Sequence, residues 1–294
     1  MKRILLSLSF IFATSSTFAY DFQIDGAYTD FDNDSSYIDS QQKGEIKGTY
    51  YFNPVETKNG PYNEAAFLGH SSNVYARYSY TDLQSKTYYE GQYTDEDDAV
   101  YDVYDKFETE VHSSGLGIEY FFEQFYLSGE VGFDQYKLND QYHLVSVDTD
   151  DVYTYNDKYS SDATTYKAYV GYLPVENLLI AAGVEGYSSD DDNDAAFGIK
   201  AKYVTPIGQS DQYINLEAAG TFNDTTNLSI AGDFYFNKQF SVGTSYNFQD
   251  NGDTNTDYFT IRSKYFFNEN FAVGAEAGFA DDYNAYKISA SVRF

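Results

Sequence analysis

The nine residues YKISASVRF (286–294) alternate strictly. Tyr286, Ile288, Ala290, Val292 and Phe294 are apolar or aromatic, and Lys287, Ser289, Ser291 and Arg293 between them are polar. Successive side chains of a strand point to opposite faces, so this stretch has one apolar face and one polar face. A half-buried strand of a soluble protein has the same pattern, and the argument therefore rests on recurrence. Alternation predicts about fourteen strands, near 20–30, 42–52, 70–81, 110–122, 125–137, 163–173, 178–187, 195–205, 213–222, 227–236, 240–249, 258–267, 271–279 and 284–294. Nine to eleven residues is what a tilted strand needs to cross lipid. The expected class is all-β: a transmembrane antiparallel up-and-down β-barrel of about fourteen strands, within the range twelve to sixteen.

Composition fits that class. Lys2 and Arg3, the apolar run from Ile4 to Phe12 and the small-residue site Thr17-Phe18-Ala19 read as a secretory signal peptide over 1–19, leaving 20–294 for the barrel. The apolar run is too short to span a bilayer. The remaining 275 residues carry a formal charge of −30, which opposes binding to nucleic acid. There is no cysteine, hence no disulfide framework and no thiolate metal site. With 33 Tyr, 24 Phe and only 4 Pro, the chain favours strands and tight turns. A spanning barrel escapes hydropathy plots because only every second residue meets lipid.

The connections sort into two kinds. Short turns are expected at Glu123-Gln124, Pro174 to Asn177, Asn237 to Gln239 and Asn268 to Asn270. Longer acidic connections are expected near 31–41, 82–109, 138–162, 188–194, 250–257 and 280–283, with a shorter polar one at 223–226. Short turns on one side and long loops on the other match the periplasmic and external ends of an outer-membrane barrel. YFFEQF (120–125), YFNKQF (235–240) and FFNENF (266–271) repeat an aromatic pair, a polar turn and another aromatic, and YLPVENL (172–178) is a looser version. Such rings suit an interfacial girdle.

One face of the strands is nearly free of charge and suits lipid: Phe22, Ile24, Leu127, Val131, Ile180, Val184, Val242, Tyr246, Ile261 and Val273 are examples. The opposite face carries the acids Asp25, Glu45, Glu119, Glu130, Asp134, Glu185, Glu217, Asp233 and Glu276. It also carries the bases Lys47, Arg77, Lys167, Lys200, Lys202, Arg262, Lys264, Lys287 and Arg293. A dry core could not hold so many ions, since each costs several kcal/mol to desolvate. The interior is therefore expected to be wet or filled by an ion-pair network, and these residues are expected to line a pore. Acids fall mostly on outward-running strands and bases on inward-running ones, which predicts acid–base ladders between neighbours. Arg77, Glu119 and Asp233 break that rule. The surplus negative charge sits in runs such as 95–98, 148–151 and 190–194, an arrangement that raises local cation concentration. The run 190–194 lacks the ordered glycine and terminal Glu of a calcium loop, so no metal site is assigned.

No catalytic constellation emerges. His112, Ser113 and Ser114 are adjacent, but neighbours on a strand point to opposite faces and His112 cannot reach Ser113. No phosphate loop, dinucleotide fingerprint or zinc spacing is present, and no cofactor is expected.

The stretch YYFNPVETKNGPYNEAAFLGHSSNV (50–74) is more specific. Its Tyr-Phe-x-Pro-Val, Gly-Pro and Glu-Ala-Ala-Phe-Leu resemble the general porin family of Gram-negative outer membranes. The strand ending at Phe294 is similar to the closing strand of such barrels, where the barrel assembly machinery reads a terminal aromatic. The resemblance implies localisation in the outer membrane, passive diffusion of small hydrophilic solutes and ions, and no catalytic residues. Cation preference comes from the acidic loops. Partners implied are outer-membrane lipid, lipopolysaccharide and the assembly machinery. Two alternatives stay open: a structural or surface-interaction barrel, and a solute-selective transporter with 82–109 or 138–162 folded inward. The connection 53–69 is long for a periplasmic turn. Pro54, Gly60 and Pro61 punctuate it, and Glu64 to Leu68 predict one helical turn packed at the barrel base.

Overall fold

The computed structural model describes residues 19–294 except 59, 150, 191, 209 and 210. The expected signal peptide, 1–19, lies outside the described residues except for Ala19, which opens the first strand. The strands are β1 (Ala19–Asn33), β2 (Ile38–Glu56), β3 (Asn73–Ser85), β4 (Tyr88–Thr94), β5 (Val100–Phe122), β6 (Phe125–Ser146), β7 (Val152–Val175) and β8 (Leu178–Ser189). They continue with β9 (Asn193–Pro206), β10 (Tyr213–Phe222), β11 (Thr226–Tyr235), β12 (Phe240–Asp250), β13 (Asn255–Asn268), β14 (Phe271–Ala280) and β15 (Tyr283–Arg293). Between β2 and β3 lie a 3-10 turn (Tyr62–Glu64) and one turn of helix, α1 (Ala65–Leu68).

Every strand pairs antiparallel with its neighbours, and the sheet closes on itself through β1 with β15 and β3 with β5. β4 does not add a position to the ring. It follows β3 along the same neighbour, β3 opposing β5 from Glu119 to Glu108 and β4 from Asp105 to Val100. The result is a closed barrel of fourteen strand positions. Fourteen strands about 4.8 Å apart enclose a ring roughly 21 Å across, wider once the strands tilt.

The seam rests on YKISASVRF. Tyr28 opposes Ile288 and Ile24 opposes Val292 on the outer face, while Asp25 opposes Ser291 on the inner. The Phe294 carbonyl accepts from the Asp21 and Phe22 amides at 2.9 and 3.2 Å, and the Phe22 carbonyl accepts from the Phe294 amide at 2.9 Å. The outer wall exposes Leu116, Leu127, Val131, Val170, Ile180, Ile230, Ile261 and Ile288, as alternation requires of a surface facing hydrocarbon. Two-residue turns close β5 to β6 and β7 to β8. Glu123 (φ 52°) and Asn177 (φ 63°) take the positive φ that such tight hairpins demand.

The expected long loops 82–109 and 138–162 are strands for most of their length. β5, β6 and β7 run past the length a lipid crossing needs, with a short turn at 95–99 before β5 and another connection after Ser146. Stretches such as 142–145 and 153–155 are β-favouring and alternate, but the dense Asp content of their surroundings reads as loop. The described residues of 82–109 and 138–162 are not among the lining of the three lumen cavities.

Candidate functional site

Charged side chains of the expected inner face form pairs of two kinds. Lys167–Glu185 (2.9 Å) and Lys202–Glu217 (2.8 Å) join residues directly opposite on neighbouring strands, as the ladder argument predicts. Three other pairs skip a strand. Arg77 reaches Glu130 (2.7 Å) across β5, Arg262 reaches Asp233 (2.7 Å) across β12, and Lys287 reaches Glu45 (3.0 Å) across β1. Expected partners thus differ: Glu130 opposes Lys167, and Glu276 opposes both Arg262 and Lys287, but Arg77, Arg262 and Lys287 bridge to carboxylates one strand further on.

Glycine explains two of the three detours. A Cβ at Gly243 would strike Asp233 Oδ1, and one at Gly115 would sit 3.0 Å from Arg77 Nε. Bare backbone on the middle strand lets a long guanidinium lie flat across it. The bidentate Arg262 contact, Nε to Oδ1 at 2.8 Å and Nη2 to Oδ2 at 2.7 Å, is a strong, orienting geometry. Arg77 and Asp233, two of the three exceptions to the ladder rule, are partners in these detours. The third, Glu119, accepts from the Tyr126 hydroxyl (2.7 Å) and Asn73 Nδ2 (3.1 Å).

Other cations lie over rings. Lys47 Nζ is 4.0 Å from the Tyr75 centroid, Lys200 4.5 Å from Tyr169, and Lys264 5.5 Å from Phe266. Arg293 is 3% exposed, sits between Tyr20 and Phe266, and donates to Gln23 Oε1 and the Tyr62 carbonyl, both at 2.8 Å. Asp25 accepts from Ser291 Oγ (2.6 Å) and Gln23 Nε2 (2.7 Å).

Among the described residues, cavities lie along the lumen. Those of about 530 and 670 Å³ share Lys47, Glu64, Lys202, Glu217, Arg262 and Glu276. A third, of about 480 Å³, lies toward the outer turns, with Glu185, Asn247, Asp257, Asp281 and Asp282 among its lining.

Residues 57, 58 and 60–72 cross the end of this lumen nearest the short turns. Within a ring of fourteen positions, β10 stands diametrically opposite β2. Glu64 contacts both strands that flank β10: its Oε2 meets Lys202 Nζ of β9 at 2.8 Å, and its Oε1 accepts from the Tyr235 hydroxyl of β11 at 2.5 Å. The Tyr62 amide donates to the Lys238 carbonyl in the turn after β11, and Thr57 Oγ1 to Glu269 after β13. The segment thus leaves β2, spans the diameter and returns to β3. Ala65 and Ala66 pack with Tyr20, Tyr51 and Val55, while Phe67 packs with Tyr126, Tyr169, Leu173 and Leu179. The helical turn expected at 64–68 is present, docked inside the base of the barrel.

Sequence reading missed Glu64 as a lumen residue because it lies off the strands. Its signal was the length of the connection. His112, by contrast, bonds Tyr78 (2.8 Å) on the outer face, and Ser113 sits in register with Ser79 on the inner face.

The family model for "putative general bacterial porin" matches residues 1–294. Among solved structures, the outer-membrane protein Omp33 of Acinetobacter baumannii is similar over 94% of this chain and 99% of its own, with 21% identity and a TM-score of 0.62. A deletion mutant of TodX, a monoaromatic hydrocarbon channel of P. putida, is similar over 94% of this chain and 90% of its own, with 9% identity and a TM-score of 0.53. Both likenesses show a shared fold. No curated relative matches the sequence.

Proposed function

The chain belongs to the general bacterial porin family, and on that premise we propose that it forms a water-filled channel for small hydrophilic solutes and ions. The observation that carries this reading is the interior itself. It holds ion pairs, polar cavities and a half-exposed ring of lysines and carboxylates where a packed apolar core would stand. Charges of that number stay inside a fold when water reaches them, because dry burial costs several kcal/mol for each ion.

Asp25, Lys47, Arg77, Glu119, Glu130, Lys167, Glu185, Lys200, Lys202, Glu217, Arg262, Lys264, Glu276 and Lys287 line the permeation path in this reading, and Arg293 anchors its base. The narrowest point is the segment 57–72, which limits passage to small solutes. The interleaving of acids and bases around the wall makes the lumen itself weakly selective. Preference for cations arises instead from the acidic turns at the outer mouth, whose attraction fades as salt screens it. The outer face contacts lipid and lipopolysaccharide.

Swelling of liposomes containing the protein, with sugars of graded size, tests the reading together with reversal potentials in a salt gradient. Entry of small sugars with a size cut-off and a cation-positive reversal potential support it. Absence of any permeation rejects the channel, and anion preference rejects the role given to the outer turns.

A further inference from the structure

A closed barrel has no free sheet edge, but this chain extends its sheet beyond the closed part. β8 ends at Ser189, opposite Ala163 of β7. From Asp162 to Val152, β7 continues for eleven residues paired with β6 alone, in unbroken register. All eleven residues are exposed, and no described strand pairs their other side.

The two edges of this extension are built differently. On the far side, β4 is only seven residues long and carries a register shift between Tyr89 and Gly91, the kind of irregularity that disfavours strand addition. The β7 edge has neither bulge nor proline, and Lys158 is its single basic residue. Long and regular in register, it has the form of a template for strand addition.

Charge selects the occupant. Residues 82–109 and 138–162 carry fifteen acids, three bases and nine tyrosines. Tyr153, Tyr155, Asp157 and Tyr159 share one face of the β7 edge, each ring about half exposed. A second copy in the same membrane would set β7 parallel to β7 and bring acid against acid. A segment with Lys or Arg at alternate positions would instead set each cation beside a ring or carboxylate.

We infer that the exposed edge of β7, residues 152–162, takes an extended basic segment of another protein as an added strand, antiparallel to β7 and in line with β8. Main-chain bonds supply the affinity, and the tyrosine–aspartate face supplies the preference for cations.

The test uses the full-length protein in lipid nanodiscs and two synthetic ten-residue peptides of identical sequence, lysine alternating with threonine or valine. One is unmodified and the other is N-methylated at alternate amides, which keeps the charge and removes strand pairing. The unmodified peptide is expected to bind at least tenfold more tightly, with amides of 152–162 gaining protection from hydrogen exchange. Tyr155→Pro and Asn156→Pro, adjacent positions of which one directs its amide to the open edge, are expected to differ from each other in peptide affinity. Equal affinity for the two peptides, binding without protection of 152–162, or no binding overturns the inference.

Discussion

Removing the Glu64 carboxylate loosens the segment that crosses the lumen. Glu64 is 2% exposed and accepts from Lys202 (2.8 Å), Tyr235 (2.5 Å) and Asn63 (3.1 Å). Hydrogen bonds to a charged group contribute about 1.5–3 kcal/mol each. Glu64→Ala removes two between the segment and the wall, but Lys202 keeps its bond to Glu217 at 2.8 Å, which recovers part of the loss. A net loss of about 3 kcal/mol shifts the docking equilibrium roughly a hundredfold toward the undocked state. Single-channel recording in planar bilayers should show larger or more frequent conductance in Glu64→Ala than in wild type. Glu64→Gln, which keeps the shape but loses the charge, should fall between them. Hydrogen exchange over 57–72 should rise in the same order. Wild-type conductance and wild-type exchange in Glu64→Ala would refute the assignment of Glu64 as the tie between segment and wall.

Other consequences follow from the wall. Gly243→Ala puts a methyl where Asp233 Oδ1 lies against the strand, so the Arg262–Asp233 pair must shift; a loss of about 1–3 kcal/mol is expected in urea unfolding from lipid vesicles. Ile288→Arg on the lipid face should cost about 2–4 kcal/mol in the same assay, whereas Ser289→Arg on the inner face should cost less. Cysteines at Asp25 and Ser291, which are in register across the seam, should crosslink, while cysteines at Asp25 and Val292, on opposite faces, should not. Burial raises the Asp105 carboxyl above its ordinary value of 3.8, with the neighbouring Asp140 adding to the rise. A raised carboxyl favours the protonated fold, so it stabilises the outer hairpin below pH 3.8 and that stabilisation is lost as pH climbs through the folded value. Asp105→Asn should therefore slow hydrogen exchange of β4 to β6 near pH 7 and have little effect below pH 3.8.

Much of this architecture is legible in the chain because lipid imposes a strict code. Hydrocarbon tolerates almost no charge, so alternation in 286–294 and its thirteen counterparts marks strands, and parity alone assigns each of Asp25 through Arg293 to a face. Pairing within the lumen is not legible in the same way. Register places Lys202 opposite Glu217, but whether Arg262 turns to Glu276 or reaches past β12 to Asp233 depends on the bare backbone at Gly243. Outside the lipid the code lapses. Water accepts Asp and Tyr together, so 138–162 reads as loop although β6 and β7 carry most of it. Glu64 shows the converse limit. Its surroundings come from β9 and β11, more than a hundred residues away, and only the excess length of 53–69 hinted at a folded segment.

In the proposed function, the lumen is hydrated and throttled at the end nearest the short turns by the segment between β2 and β3. Ohmic conductance of the wild type in planar bilayers, compared with a variant whose residues 57–71 are replaced by a short Gly-Ser turn, tests it most directly. A small steady conductance that rises several-fold in the replacement variant is the predicted result. Equal conductance in the two, or no current through the correctly folded variant, would contradict it.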